Sequence, residues 1–71
     1  MNYTVILHPP DEEGWVVAEC PALPGCVSQG RNEDEALVNI REAIMGCLLV
    51  LNERARKQGQ QAQLETAEVV L

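Results

Sequence analysis

Seventy-one residues, 46% of them hydrophobic, make one domain close to the smallest size at which a single core suffices without staples. Eleven acidic side chains against five basic ones give a net charge of −6, which argues against direct nucleic-acid binding and suits a basic partner. There is no apolar run of the roughly 18 residues a membrane span needs, and no charged-then-apolar leader, so the chain is expected to be cytoplasmic.

Residues 2–8 alternate Tyr3, Val5 and Leu7 against Thr4, Ile6 and His8, the period of a half-buried strand. Pro9 and Pro10 end it, and Asp11, Glu12, Glu13 and Gly14 provide a turn. Residues 15–20 read as a second strand, antiparallel to the first because the connection is short. Trp15, Val17 and Glu19 share one face of it, and Val16, Ala18 and Cys20 the other. The segment Pro21-Ala22-Leu23-Pro24-Gly25 is too punctuated for regular structure and reads as a rigid corner, with Gly25 at a backbone angle other residues resist. Residues 26–29 are expected to form a short third strand.

The stretch 32–57 is an amphipathic helix. Ala36, Leu37, Ile40, Ala43, Ile44, Cys47, Leu48 and Leu51 fall on one side at 100° per residue. Asn32 caps the start, with Glu35 three residues on in a capping-box position. Glu33, Asp34 and Glu35 suit the positive end of the helix dipole, and Arg54, Arg56 and Lys57 the negative end, with Gly59 as the stop. A glutamine-rich link over 58–63 then leads to a final strand over 64–71. The fold class is therefore α+β: a three-stranded antiparallel meander, one long helix and a C-terminal strand, β-β-β-α-β, in a single domain spanning 1–71.

Two features of the helix point beyond the chain. At 1.5 Å per residue it spans ~37 Å, whereas strands of six residues span only ~20 Å, so the sheet cannot cover it. Val38, Met45 and Leu49 fall together on the side opposite Ile40, an apolar stripe that suggests a homo-oligomer seam.

Chemistry-bearing residues are few. His8 is the one histidine, without a second histidine or an evident orienting acid. Cys20, Cys26 and Cys47 lack the spacing of a structural zinc site and read as thiols, Cys47 as a small buried hydrophobe. Neither GxxxxGK[ST] nor GxGxxG is present. No catalytic residue, metal site or cofactor is expected.

The Asp11-Glu12-Glu13-Gly14 turn is followed by the strand Trp15-Val16-Val17-Ala18-Glu19 and by Cys20-Pro21-Ala22-Leu23-Pro24-Gly25-Cys26-Val27-Ser28-Gln29-Gly30. The helix opens Glu33-Asp34-Glu35-Ala36-Leu37 and continues Asn39-Ile40-Arg41-Glu42-Ala43-Ile44. Together these resemble the N-terminal domain of HicB-type antitoxins over nearly the whole chain, most weakly from Gln58 onward. The resemblance implies a degenerate RNase H-like β-β-β-α-β fold without that enzyme's metal-binding carboxylates. It also implies a partner, a small basic HicA-type toxin that cuts mRNA, whose surface the antitoxin occludes. Many family members append a DNA-binding module; a chain ending at Leu71 leaves no room for one, so a standalone domain is expected.

The leading expectation is a toxin-occluding protein with Asp11, Glu12 and Glu13 as the electrostatic contact. The alternatives are a homo-oligomeric interaction module without a toxin and a metal-dependent RNase H-like hydrolase. The hydrolase needs converging carboxylates, and only Glu19 lies in a clear strand, while Glu65 and Glu68 alternate onto different faces.

Overall fold

The computed structural model describes residues 2–70. Its elements run β1 (Ile6–Leu7), β2 (Val16–Glu19), β3 (Val27–Gly30) and α1 (Glu33–Gln61). The strands form one antiparallel sheet in the order β1-β2-β3, with Ile6 opposite Glu19 and Val16 opposite Gly30.

The alternation along the first two strands sorts as the sequence indicates. Val16, Ala18 and Cys20 are buried beneath α1, while Trp15, Val17 and Glu19 face outward and stay half-exposed. β1 is shorter than the alternating stretch 2–8. Its ladder stops at Ile6 because the opposing chain reaches Cys20 and turns away at Pro21, which has no amide to donate. Tyr3, Val5 and Leu7 still pack against the core, so the side-chain pattern outlasts the hydrogen-bonded strand.

Asp11 builds the β1–β2 turn. Its Oδ1 accepts from the amides of Glu13 and Trp15, both at 2.9 Å, and Gly14 completes the turn at φ +87°. At the other end of the sheet, the corner closes through Cys20 N–H to Cys26 O at 2.9 Å and Leu23 N–H to Cys20 O at 3.1 Å. Gly25 there has φ +74°. The corner also has a packing role that its prolines do not announce: it drops Leu23 into the core at 7% exposure.

α1 begins as its capping signal specifies. Asn32 Oδ1 accepts from the Glu35 amide at 2.8 Å, and the Glu35 carboxylate reaches back to the Arg31 amide at 3.3 Å. Two contacts dock the helix on β3. Gly30 meets the Ala36 backbone so closely that a Cβ there would collide with the Ala36 nitrogen and lie 2.9 Å from its Cα. Asn39 Nδ2 donates to Gln29 O at 2.8 Å, satisfying an edge-strand carbonyl.

The helix is longer than its sequence signals suggest. It runs through Gly59 to Gln61, and Gln63 at φ 55° supplies the left-handed residue after the Ala62 cap. One glycine in a helix costs only about 1 kcal/mol, which the helix-forming glutamines offset. Arg54, Arg56 and Lys57 therefore lie before the last turn, which contains no basic residue. The predicted final strand does not form. Residues 64–70 are irregular, and Leu71 lies outside the described residues. Leu64 N–H bonds to Gly59 O at 2.9 Å, and Arg56 grips Glu68 at 2.7 Å, so the tail returns along the helix and pairs with no strand.

The core is small: Val16, Ala18, Cys20, Leu23, Cys26, Ala36 and Ile40. Of the eight residues placed on the helix's inner stripe, Ala36 and Ile40 are buried, and Ala43, Ile44 and Cys47 are half-buried. Leu48 and Leu51 are exposed because they lie beyond the reach of the sheet, and Leu37, between buried Ala36 and Ile40, because it falls at the margin of the stripe. Twenty-nine residues make a rod of ~44 Å, in a molecule measuring 51 × 22 × 15 Å.

Candidate functional site

The strand register settles where the charge lies. Val16 pairs with Gly30, so the β1–β2 turn and the start of α1 share one end of the sheet. Asp11, Glu12, Glu13, Glu33, Asp34 and Glu35 are all exposed there, six carboxylates at one pole. Asp11 is the one of the turn acids with a structural duty, since its carboxylate holds two backbone amides. Glu12 and Glu13 turn their charge to solvent.

The opposite pole has another character. Residues 1–42 carry eight acids and two bases, whereas residues 43–71 carry three of each. That neutral half contains no buried side chain among the described residues, yet it exposes Met45, Leu48, Leu49, Val50 and Leu51 on the helix and Val69 and Val70 in the tail. Val38, Met45 and Leu49, the expected oligomer stripe, are 59%, 59% and 70% exposed. The acidic turn and this stripe belong to different regions and do not converge on one site.

The outward face of the sheet presents Ile6, Val17 and Val27 around one hydrogen-bonded pair, His8 Nε2 and Glu19 Oε1 at 3.0 Å. Glu19 is thus the orienting acid that linear reading did not supply for His8. It becomes visible once the hairpin register is known, because His8 and Glu19 both belong to the outward-facing set of their strands. Both side chains are largely open to solvent, and nothing else reactive joins them among the described residues.

Cys20, Cys26 and Cys47 are free thiols at or beside the core. Burial pushes the Cys26 thiol up to about 11, with further contributions from the hydrogen bond and charge of Cys47 and then the charge of Cys20. A thiol held protonated at neutral pH is a poor nucleophile and a poor metal ligand. Among the described residues, no three His, Cys, Asp or Glu side chains are grouped as metal ligands would be, and no helix is long and apolar enough to cross a membrane.

The arrangement therefore offers surfaces, an acidic pole and an apolar rod. Comparison with known proteins places it. The chain is 41% identical to a UPF0150 protein of Thermoplasma acidophilum over 70 residues, 99% of this chain and 94% of that one. It is 36% identical to a UPF0150 protein of Archaeoglobus fulgidus over 44 residues, 62% of each chain. A UPF0150 protein of Synechocystis is 50% identical over 38 residues, 54% of this chain and 55% of its own. No solved structure matches the chain significantly. Residues 3–69 match the family described as the HicB-like antitoxin of bacterial toxin-antitoxin systems, and with that span covered the chain belongs to the HicB-like antitoxin family.

Proposed function

We propose that this protein neutralises a small basic HicA-type mRNA-cleaving toxin by covering its RNA-binding surface, with no chemistry of its own. Family membership carries an antitoxin role and a toxin partner in general. The observation that favours a basic, RNA-binding toxin is the concentration of charge at one pole: Asp11, Glu12, Glu13, Glu33, Asp34 and Glu35 stand together at the end of the sheet where α1 begins. A surface built to hold phosphates is cationic, and an opposing acidic surface steers encounter with it and excludes RNA from it. The β-β-β-α order is compatible with a degenerate RNase H-like lineage, in which the sheet and helix remain as a platform.

The test is co-purification with a small basic toxin, sought first among the reading frames that neighbour this one. Glu12→Lys with Glu13→Lys is the decisive variant, because Asp11 is needed for the turn itself. Removing two exposed charges and installing their opposites is expected to weaken the complex at least tenfold, about 1.4 kcal/mol, and to flatten its dependence on ionic strength. Unchanged affinity at low salt would move the contact away from this pole. Toxin activity unaffected by saturating wild-type protein would end the occlusion reading.

A further inference from the structure

We propose that the outer side of α1 is a two-fold seam on which a second copy of this chain docks, with the two helices antiparallel and crossing at Leu49. The pattern is regular. Val38, Glu42, Met45, Leu49, Asn52 and Arg56 follow one another at alternating steps of four and three residues, the spacing of a helix–helix seam. They lie on the side of the helix away from Ile40, whose side chain is buried against the sheet. Leu49 at 70% exposure and Met45 and Val38 at 59% are the apolar members.

The occupant follows from charge and symmetry. Glu42 stands seven residues before Leu49 and Arg56 seven residues after it, two helical turns in each direction and on the same side. When two such helices lie antiparallel about an axis through Leu49, each Glu42 faces the Arg56 of the other copy, and the pair occurs twice. The surface is thus complementary to itself, as a two-fold contact must be. A long-range argument agrees. The six carboxylates of the acidic pole lie at the start of each helix, so antiparallel docking sends the two poles to opposite ends of the assembly, with the neutral halves in contact. A parallel arrangement would bring those poles together. A basic toxin would gain little from a half that carries three acids and three bases.

The seam is open from Val38 to Leu49, whereas at its far end Thr66, Ala67 and Glu68 of the tail lie beside Asn52 and Arg56, so docking there displaces the exposed tail. Gly46 beside the crossing has open space around it. Arg56 is held by Glu53 at 2.6 Å and Glu68 at 2.7 Å, but both pairs are solvent-exposed and worth little, so its guanidinium is available to the second copy's Glu42. The dimer contact is centred on Leu49 and uses none of the six carboxylates of the acidic pole, although its first residue, Val38, lies one turn beyond Glu35.

Sedimentation of the full chain across a concentration series tests it. The wild type is expected to move from monomer to dimer as concentration rises. Leu49→Glu is expected to raise the dissociation constant at least tenfold while leaving the helical circular dichroism intact, because the side chain touches no core residue. Glu42→Arg and Arg56→Glu are each expected to weaken the dimer, and the two together to restore it. Val50→Lys, on the side of the helix beside Leu23 and Leu51, serves as a control and is expected to leave the dimer in place. A monomer at every concentration overturns the proposal, and so does a dimer that survives Leu49→Glu. Dissociation by Val50→Lys in place of Leu49→Glu, or a charge swap that fails to rescue, assigns the contact elsewhere. Loss of toxin binding in a monomeric Leu49→Glu variant of a monomeric wild type gives the face to the toxin.

Discussion

Residues 2–42 and residues 43–70 obey different rules. In the first region local signals and tertiary contacts agree. Alternating strands meet the buried start of an amphipathic helix, and all seven core residues lie between Val16 and Ile40. In the second region the helix continues by propensity and length, with apolar residues on several sides and none buried. The first region also holds the whole net charge. The lesson is that hydrophobic periodicity reports that a face is meant to be covered, and does not say by what. Ile40 and Leu51 share one stripe, yet the sheet covers Ile40 at 1% exposure and leaves Leu51 at 42%.

That contrast can be broken most forcefully at Ile40. Ile40→Ala removes the largest buried side chain and is expected to cost about 2–5 kcal/mol, comparable to the whole stability of so small a domain. Leu49→Ala, equally apolar, is expected to leave the monomer's thermal unfolding nearly unchanged. Equal losses at both sites would erase the distinction between regions. Next comes the docking contact. Gly30→Ala pushes a Cβ into the Ala36 backbone, which cannot yield as a flexible side chain would, and about 1–3 kcal/mol is expected by chemical denaturation.

The effect of pH is smaller and confined to the first region. The Cys26 thiol sits at about 11 when folded, against 9.0 for the unperturbed group. The unfolded chain therefore releases this proton first, and stability falls as pH rises from about 9 to about 11. Cys26→Ala should remove that part of the alkaline slope, measured as denaturation midpoint against pH. Replacing the Asn32 cap with Ala is expected to cost about 1 kcal/mol. Smallest of all, deleting residues 64–71 should shift the monomer's stability by less than about 0.5 kcal/mol, because its residues 64–70 are exposed.

Legibility followed the same boundary. The Asn32 cap, the Asp11 turn, the left-handed Gly25 and the two faces of β2 depend on neighbours a few residues away, and each was readable from the sequence. The link from Asn39 to the Gln29 carbonyl and the pairing of His8 with Glu19 depend on register between distant segments, which no local pattern encodes. Leu23 looked like part of a corner because prolines dominate its surroundings, but tertiary packing buries it. The tail over 64–70 has the composition of a strand, but it turns back against Gly59 and Arg56 of the helix and pairs with neither edge strand, β1 or β3. Gly59 resembled a stop signal, and the flanking glutamines carried the helix past it. Of the candidate surfaces, the acidic turn and the outer stripe were visible as residue types, while the meeting of the acidic turn with the acidic start of α1 needed the register of β2 with β3.

Amide hydrogen exchange, followed residue by residue at increasing protein concentration, tests the two-region account most directly. The account predicts that amides of 36–44 are protected at every concentration, set by the core beneath them, whereas those of 46–57 exchange quickly in dilute solution and gain protection as copies associate. Equal protection along the whole helix in dilute solution would contradict it, showing that the second half of α1 needs no other molecule.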